Sequence, residues 1–172
     1  MNTSVLRVVR AIPIVWEKQA LDAHALASLR QSAQLLMHAL NLMDTGLLHE
    51  TEPEQAHLQK LDAKIDLMLH LLAQSLQGNR PLPQAMPVEL GPEIVSWQEM
   101  GTAPTVGDTV VLGLYLSPGL PLPLKLPAHI TTSADGRVSA QLADLGEDLG
   151  EFWQQWVFRQ HRRDIHAQRP AA

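Results

Sequence analysis

No cysteine occurs anywhere in the 172 residues, which excludes disulfides, thiolate catalysis and cysteine-ligated metal. Excess positive charge is also missing. Thirteen Lys and Arg face eighteen Asp and Glu, a formal net charge of -5, and that argues against nucleic acid as a partner, because a basic surface supplies most of such affinity. No uninterrupted apolar run reaches the roughly 18 residues of a membrane span. The first twenty residues carry Arg7, Arg10, Glu17 and Lys18 among short apolar runs, so no secretory core is present and a cytoplasmic location is expected. No Ser-His-Asp arrangement, phosphate-cradling glycine loop or His-Glu-x-x-His is present, so an enzyme is not expected.

What the chain does have is apolar periodicity. At 45% hydrophobic, it is long enough for one core, or one core plus an appended helical element. Thr51-Glu52-Pro53-Glu54 reads as a helix start: Thr51 can cap, Glu54 can close a capping box, and Pro53 suits a first turn. Leu58, Leu61, Ile65, Met68 and Leu72 then recur at alternating three- and four-residue steps, which is heptad spacing. Leu69, Leu71 and Leu76 widen the stripe, and Gly78-Asn79 ends it before Pro81 and Pro83. An earlier helix, roughly 18–44, repeats the pattern at Leu26, Leu29, Ala33, Leu36, Leu40, Met43 and Leu47. The short connection predicts an antiparallel hairpin. Two such stripes either pack on the chain's own core or form an oligomerisation seam.

Elsewhere the signals are extended. Val5 to Trp16 is β-branched and broken at Pro13, as an edge strand or arm would be. Beyond Gly78, strands are predicted at Met86–Leu90, Ile94–Gln98, Thr109–Leu116, Leu124–Thr132 and Val138–Ala143, with Asp135-Gly136 as a hairpin tip. The 109–116 run lacks clean alternation, which predicts burial on both faces. Short strands without crossover helices point to a small antiparallel barrel. A last helix, about 148–168, carries Phe152, Trp153, Trp156 and Val157 on one face and Arg159, Arg162 and Arg163 toward its end.

Four segments in this order resemble the PilZ domain: Gly107-Asp108-Thr109-Val110-Val111-Leu112, Pro123-Leu124-Lys125-Leu126-Pro127-Ala128, Gly136-Arg137-Val138 and Trp156-Val157-Phe158-Arg159-Gln160-His161-Arg162-Arg163. More narrowly, they resemble its atypical branch, whose heptad-bearing helices assemble tetramers. The resemblance implies an α+β fold: a six-stranded antiparallel barrel with a long heptad-bearing helical hairpin and a C-terminal helix. Residues 1–78 would form the extended segment and oligomerisation hairpin, and residues 79–172 the barrel with its helix. It also implies a place in cyclic di-GMP signalling, with motility, type IV pili and virulence as settings, a homotetramer, and further signalling proteins as partners.

The family binds cyclic di-GMP through Arg-x-x-x-Arg and Asp/Asn-x-Ser-x-x-Gly, arginines pairing with phosphates and stacking on guanine. At the first element this chain has Arg80 and then Gln84 in place of the second arginine. At the second it has Glu89, Gly91 and Ile94, where Asp or Asn, Ser and Gly belong. Glu89 and Glu93 add negative charge beside an anionic ligand. The expectation is a non-catalytic scaffold that needs no cofactor and does not bind by the family motif. The alternative is a cyclic di-GMP receptor using a non-standard site. Arg7-Val8-Val9-Arg10 has the wrong spacing to substitute for the motif. Glu54-Gln55-Ala56-His57 matches one half of a di-iron motif but has no second copy, so no metal is expected. Asp62, Asp66 and His70 read as a solvated helix face, and His161-Arg162-Arg163 as a favourable helix end.

Overall fold

The computed structural model describes residues 6–45, 81–118 and 120–168, together with Leu58, Leu61, Ile65, Met68, Leu69, Leu72 and Ser75. The chain opens with β1 (Val8–Ile12) and β2 (Ile14–Lys18), separated only by Pro13, and continues into α1 (Ala23–Thr45). Strands β3 (Met86–Leu90), β4 (Ile94–Gln98), β5 (Thr109–Leu114), β6 (Leu124–Ala134) and β7 (Arg137–Leu142) follow, and α2 (Glu147–Gln168) closes the described chain.

The strands form one curled antiparallel sheet in the order β1-β3-β4-β7-β6-β5-β2. Its two edges are consecutive in sequence. β1 pairs with β3 (Val8↔Leu90 to Ile12↔Met86) and β2 with β5 (Ile14↔Leu114 to Lys18↔Val110). Proline cannot donate to a ladder, so a break falls at Pro13. One extended segment thereby serves both edges, and the six strands expected become seven. The Pro13 carbonyl still accepts the Tyr115 amide at 3.1 Å, so the corner stays bonded. Residues 8–18, on the helical side of a division at residue 78, are thus part of the sheet.

Period-two alternation fills the concave side. Val8, Ile12, Ile14, Val88, Leu90, Val95, Trp97, Leu112, Leu114, Leu124, Leu126, Ile130, Val138 and Ala140 are all buried there. In β5 every residue after Thr109 is buried, as its unbroken apolar run predicts. The β6–β7 hairpin turns at Asp135 (φ 51°) and Gly136 (φ 75°); two successive positive φ values are what an Asp-Gly tip allows. A register shift between Ile130 and Thr132 lets the long β6 bend.

The first helix starts later than the predicted 18, because Lys18 still belongs to β2. Asp22 caps it, its Oδ1 accepting the Ala25 amide at 2.8 Å. Ala33, Met37 and Leu40 are buried, Leu26, Leu29 and Leu36 are half-buried, and the helix as a whole packs on α2 and β6. This stripe packs on the chain's own core. α2 buries Leu149, Trp153, Trp156 and Val157, with the two indoles stacked at 5.6 Å. The second predicted helix, 51–78, lies mostly outside the described residues, as do the turn before it and hence the predicted hairpin. The seven described residues in it are helical, and Leu58, Leu61, Ile65, Met68 and Leu72 stand 58, 43, 52, 69 and 56% exposed. No helix among the described residues is long and apolar enough to cross a membrane.

Candidate functional site

Strand β3 and the turn into β4 bring Glu89, Gly91 and Ile94, three of the degenerate motif positions, to one part of the sheet. Glu89 lies on the outer side of β3, between the buried Val88 and Leu90. Its neighbours across the ladder are Val9 on β1 and Ser96 on β4, and Ser96 in turn stands opposite Ser139 on β7. The two serine hydroxyls are 2.9 Å apart. Small side chains thus form a shallow floor beside the carboxylate.

Two arginines converge on Glu89. Arg7 Nη1 donates to Oε1 at 2.6 Å and Arg137 Nη2 to Oε2 at 2.8 Å. The sequence alone marks neither as a site residue. Arg7 is 82 positions away along the chain and Arg137 is 48, and only the β1–β3–β4–β7 ladder makes them neighbours. The one available signal was Arg137 following the Asp-Gly hairpin tip, which fixes where β7 begins.

Gly91 serves a different purpose. It is buried, and a Cβ there would stand 3.1 Å from the Ile94 carbonyl and 3.4 Å from that of Leu6. Its own carbonyl accepts Trp153 Nε1 at 3.0 Å, and its amide bonds to the Ile94 carbonyl at 2.8 Å. Close backbone packing therefore selects glycine here, and Gly91 anchors α2 to the β3–β4 turn. Ile94 is partly exposed at the start of β4, and Gln84 is exposed on the segment entering β3. Arg80 lies outside the described residues.

The other arginines have structural duties. Arg10 grips Asp164 through both terminal nitrogens at 2.9 Å and reaches Gln160 Oε1 at 3.2 Å, which clasps β1 to α2. Arg159 donates to Asn41 Oδ1 on α1. Of the basic cluster on α2, Arg162 and Arg163 are exposed and His161 is half-buried.

Two carboxylates fasten the far end of the sheet. Glu99 Oε2 accepts both Trp16 Nε1 at 2.8 Å and Trp97 Nε1 at 3.2 Å, and Oε1 accepts the Gly101 amide at 3.0 Å. Burial pushes this carboxyl up, but the hydrogen bonds from Gly101, Trp97, Trp16 and Met100 outweigh it and hold its pKa below the ordinary value. Asp108 is likewise held low, by the Lys18 ammonium at 2.6 Å and the Thr105 amide.

A separate groove of about 980 Å³ runs between α1 and the outer faces of β2 and β5, lined by Leu29, Leu36, Val15, Val111, Tyr115 and Lys125 among others. None of the described motif positions lines it, although Pro81 and Pro83, on the segment that carries Gln84, do. Among the described residues no group of three or more His, Asp or Glu could hold a metal ion, and the 54–57 pair lies outside them.

Comparison with known proteins follows the same lines. The family described as "Atypical PilZ domain, cyclic di-GMP receptor" matches residues 37–170. Among solved structures, a pathogenic protein from Xanthomonas campestris superposes with a TM-score of 0.75 at 24% identity, over 95% of this chain and 92% of the other. That protein is described as a tetrameric PilZ domain self-assembled through an unusual helical bundle. No curated protein matches the sequence.

Proposed function

Because the chain belongs to the atypical PilZ domain family, we propose that it is a non-catalytic scaffold of the cyclic di-GMP network. It self-associates through the helical stretch around Leu58–Leu72 and acts through protein partners. Five large apolar side chains at heptad spacing, 43 to 69% exposed, carry this reading. A contiguous apolar stripe in water is a standing cost that a helical partner removes, and a second copy always has the matching stripe. The helical-bundle tetramer described for the Xanthomonas campestris protein supports a tetramer here. Motility, type IV pili and virulence are the settings proposed for it, and the cytoplasm its location.

The same reading holds that cyclic di-GMP does not bind through the family motif. Gln84 offers no guanidinium, Gly91 is buried beneath Trp153, and Glu89 presents a carboxylate already engaged by two arginines. Light scattering together with calorimetric titration tests both halves. The expected result is an oligomer with no saturable heat at ligand concentrations up to about 100 μM. A monomer at tens of micromolar would defeat the first half, and a dissociation constant near 1 μM the second. The latter would favour the alternative of a receptor with a non-standard site.

A further inference from the structure

We infer that Arg7 and Arg137 form a phosphodiester-binding clamp on the outer face of the sheet, and that Glu89 is its built-in occupant. The carboxylate has one negative charge and two equivalent oxygens, each taking one guanidinium N–H, at 2.6 and 2.8 Å. A phosphodiester presents the same pattern, one charge over two non-bridging oxygens, and guanidinium N–H groups donate to either anion. Both arginine side chains are open to solvent, 45% and 63% exposed, so an external anion can approach them. Beside the clamp stand the Ser96 and Ser139 hydroxyls, 2.9 Å apart, with Ser96 buried and Ser139 half-buried.

Glu89 blocks that use by competing from within the chain. A tethered ligand acts at an effective concentration of millimolar or more, so a phosphodiester at micromolar levels does not displace it. Each exposed pair is weak by itself, which makes the occupant removable rather than locked. This deepens the proposed function, since it gives a physical cause for the loss of family-type binding beyond missing residues. It also separates recognition, which the two arginines retain, from occupancy, which Glu89 has taken.

The test replaces Glu89→Gln, which keeps the shape and deletes the charge, and titrates wild type and variant at low salt with cyclic di-GMP and, separately, with inorganic pyrophosphate. The variant should bind at least one of them about tenfold or more tightly than wild type. Pyrophosphate binding would show a clamp that reads phosphate alone, and a gain confined to cyclic di-GMP would show that the floor reads the rest of the dinucleotide; either supports the clamp. Adding Arg7→Ala or Arg137→Ala to Glu89→Gln should abolish the gain. Glu89→Ser serves as a second variant, and unchanged tryptophan emission verifies the fold of each. No gain in folded Glu89→Gln and Glu89→Ser overturns the inference, as does a gain that survives both arginine replacements. Micromolar binding of cyclic di-GMP by wild type would instead overturn the proposed function.

Discussion

The α1 stripe and the stripe from Leu58 to Leu72 look alike in sequence, yet they meet opposite fates. Ala33, Met37 and Leu40 are buried in the hydrophobic core, while Leu58, Leu61, Ile65, Met68 and Leu72 keep about half their surface in water. Heptad spacing is therefore a statement about a helix having one apolar side. It says nothing about whether the cover comes from the same chain or from another. The first stripe is part of the folded core, and the five described residues of the second stay about half in water.

The deepest way to break the folded half is at Trp153, wholly buried, stacked on Trp156 and bonded to the Gly91 carbonyl. Trp153→Ala should lower unfolding stability by about 3–5 kcal/mol, because it leaves a cavity and an orphaned carbonyl. Urea denaturation followed by far-UV dichroism measures it. A loss under about 1 kcal/mol would mean that α2 is not part of the core.

The second stripe should respond in the opposite sense. Ile65→Asp places a charge in the proposed seam and should weaken association by several kcal/mol, about 100-fold or more. The monomer should keep its dichroism, since Ile65 is 52% exposed and contributes little to its own fold. Sedimentation velocity across a dilution series reads the first effect. Unfolding of the monomer instead of dissociation would erase the distinction between the two stripes.

Smaller effects sharpen the account of what holds the sheet edges. Arg10→Ala removes the clasp on Asp164 and Gln160 at a half-exposed position, so about 1–2 kcal/mol is expected, with faster amide exchange in β1 than in β4. Equal exchange in the two strands would remove the clasp from the account.

The smallest effect is at Glu99. Glu99→Gln should cost about 1 kcal/mol at neutral pH. The native pKa is depressed, so this carboxylate's contribution is fully present above its ordinary value of 4.5 and is lost as pH falls through the lower native value. Wild type and variant should therefore converge in stability below that point. Divergence on acidification would contradict the assigned sign.

Local pattern made much of the fold legible. The bounds of β3 and β4, the Asp135-Gly136 tip, the double burial of β5 and the aromatic face of α2 all follow from neighbours a few residues apart. Their geometry is set by backbone sterics and period, which any short window contains. The family resemblance also came from ordered fragments of this kind.

Tertiary structure decided what depends on pairing across the chain. Pro13 announces a break, but not that the two halves would serve opposite edges of one sheet and raise six strands to seven. The sequence could name Glu89 as a motif position, but not that Arg7 and Arg137 would close on it. Nor could it show that Glu99 would join Trp16 to Trp97, or that Gly91 would lie beneath Trp153. Each of these contacts is set by strand register or helix docking, and the burial of the whole core fixes both at once. No local window carries that information: the apolar pattern says which face turns inward, and only the closed sheet says which distant residues share the outer one.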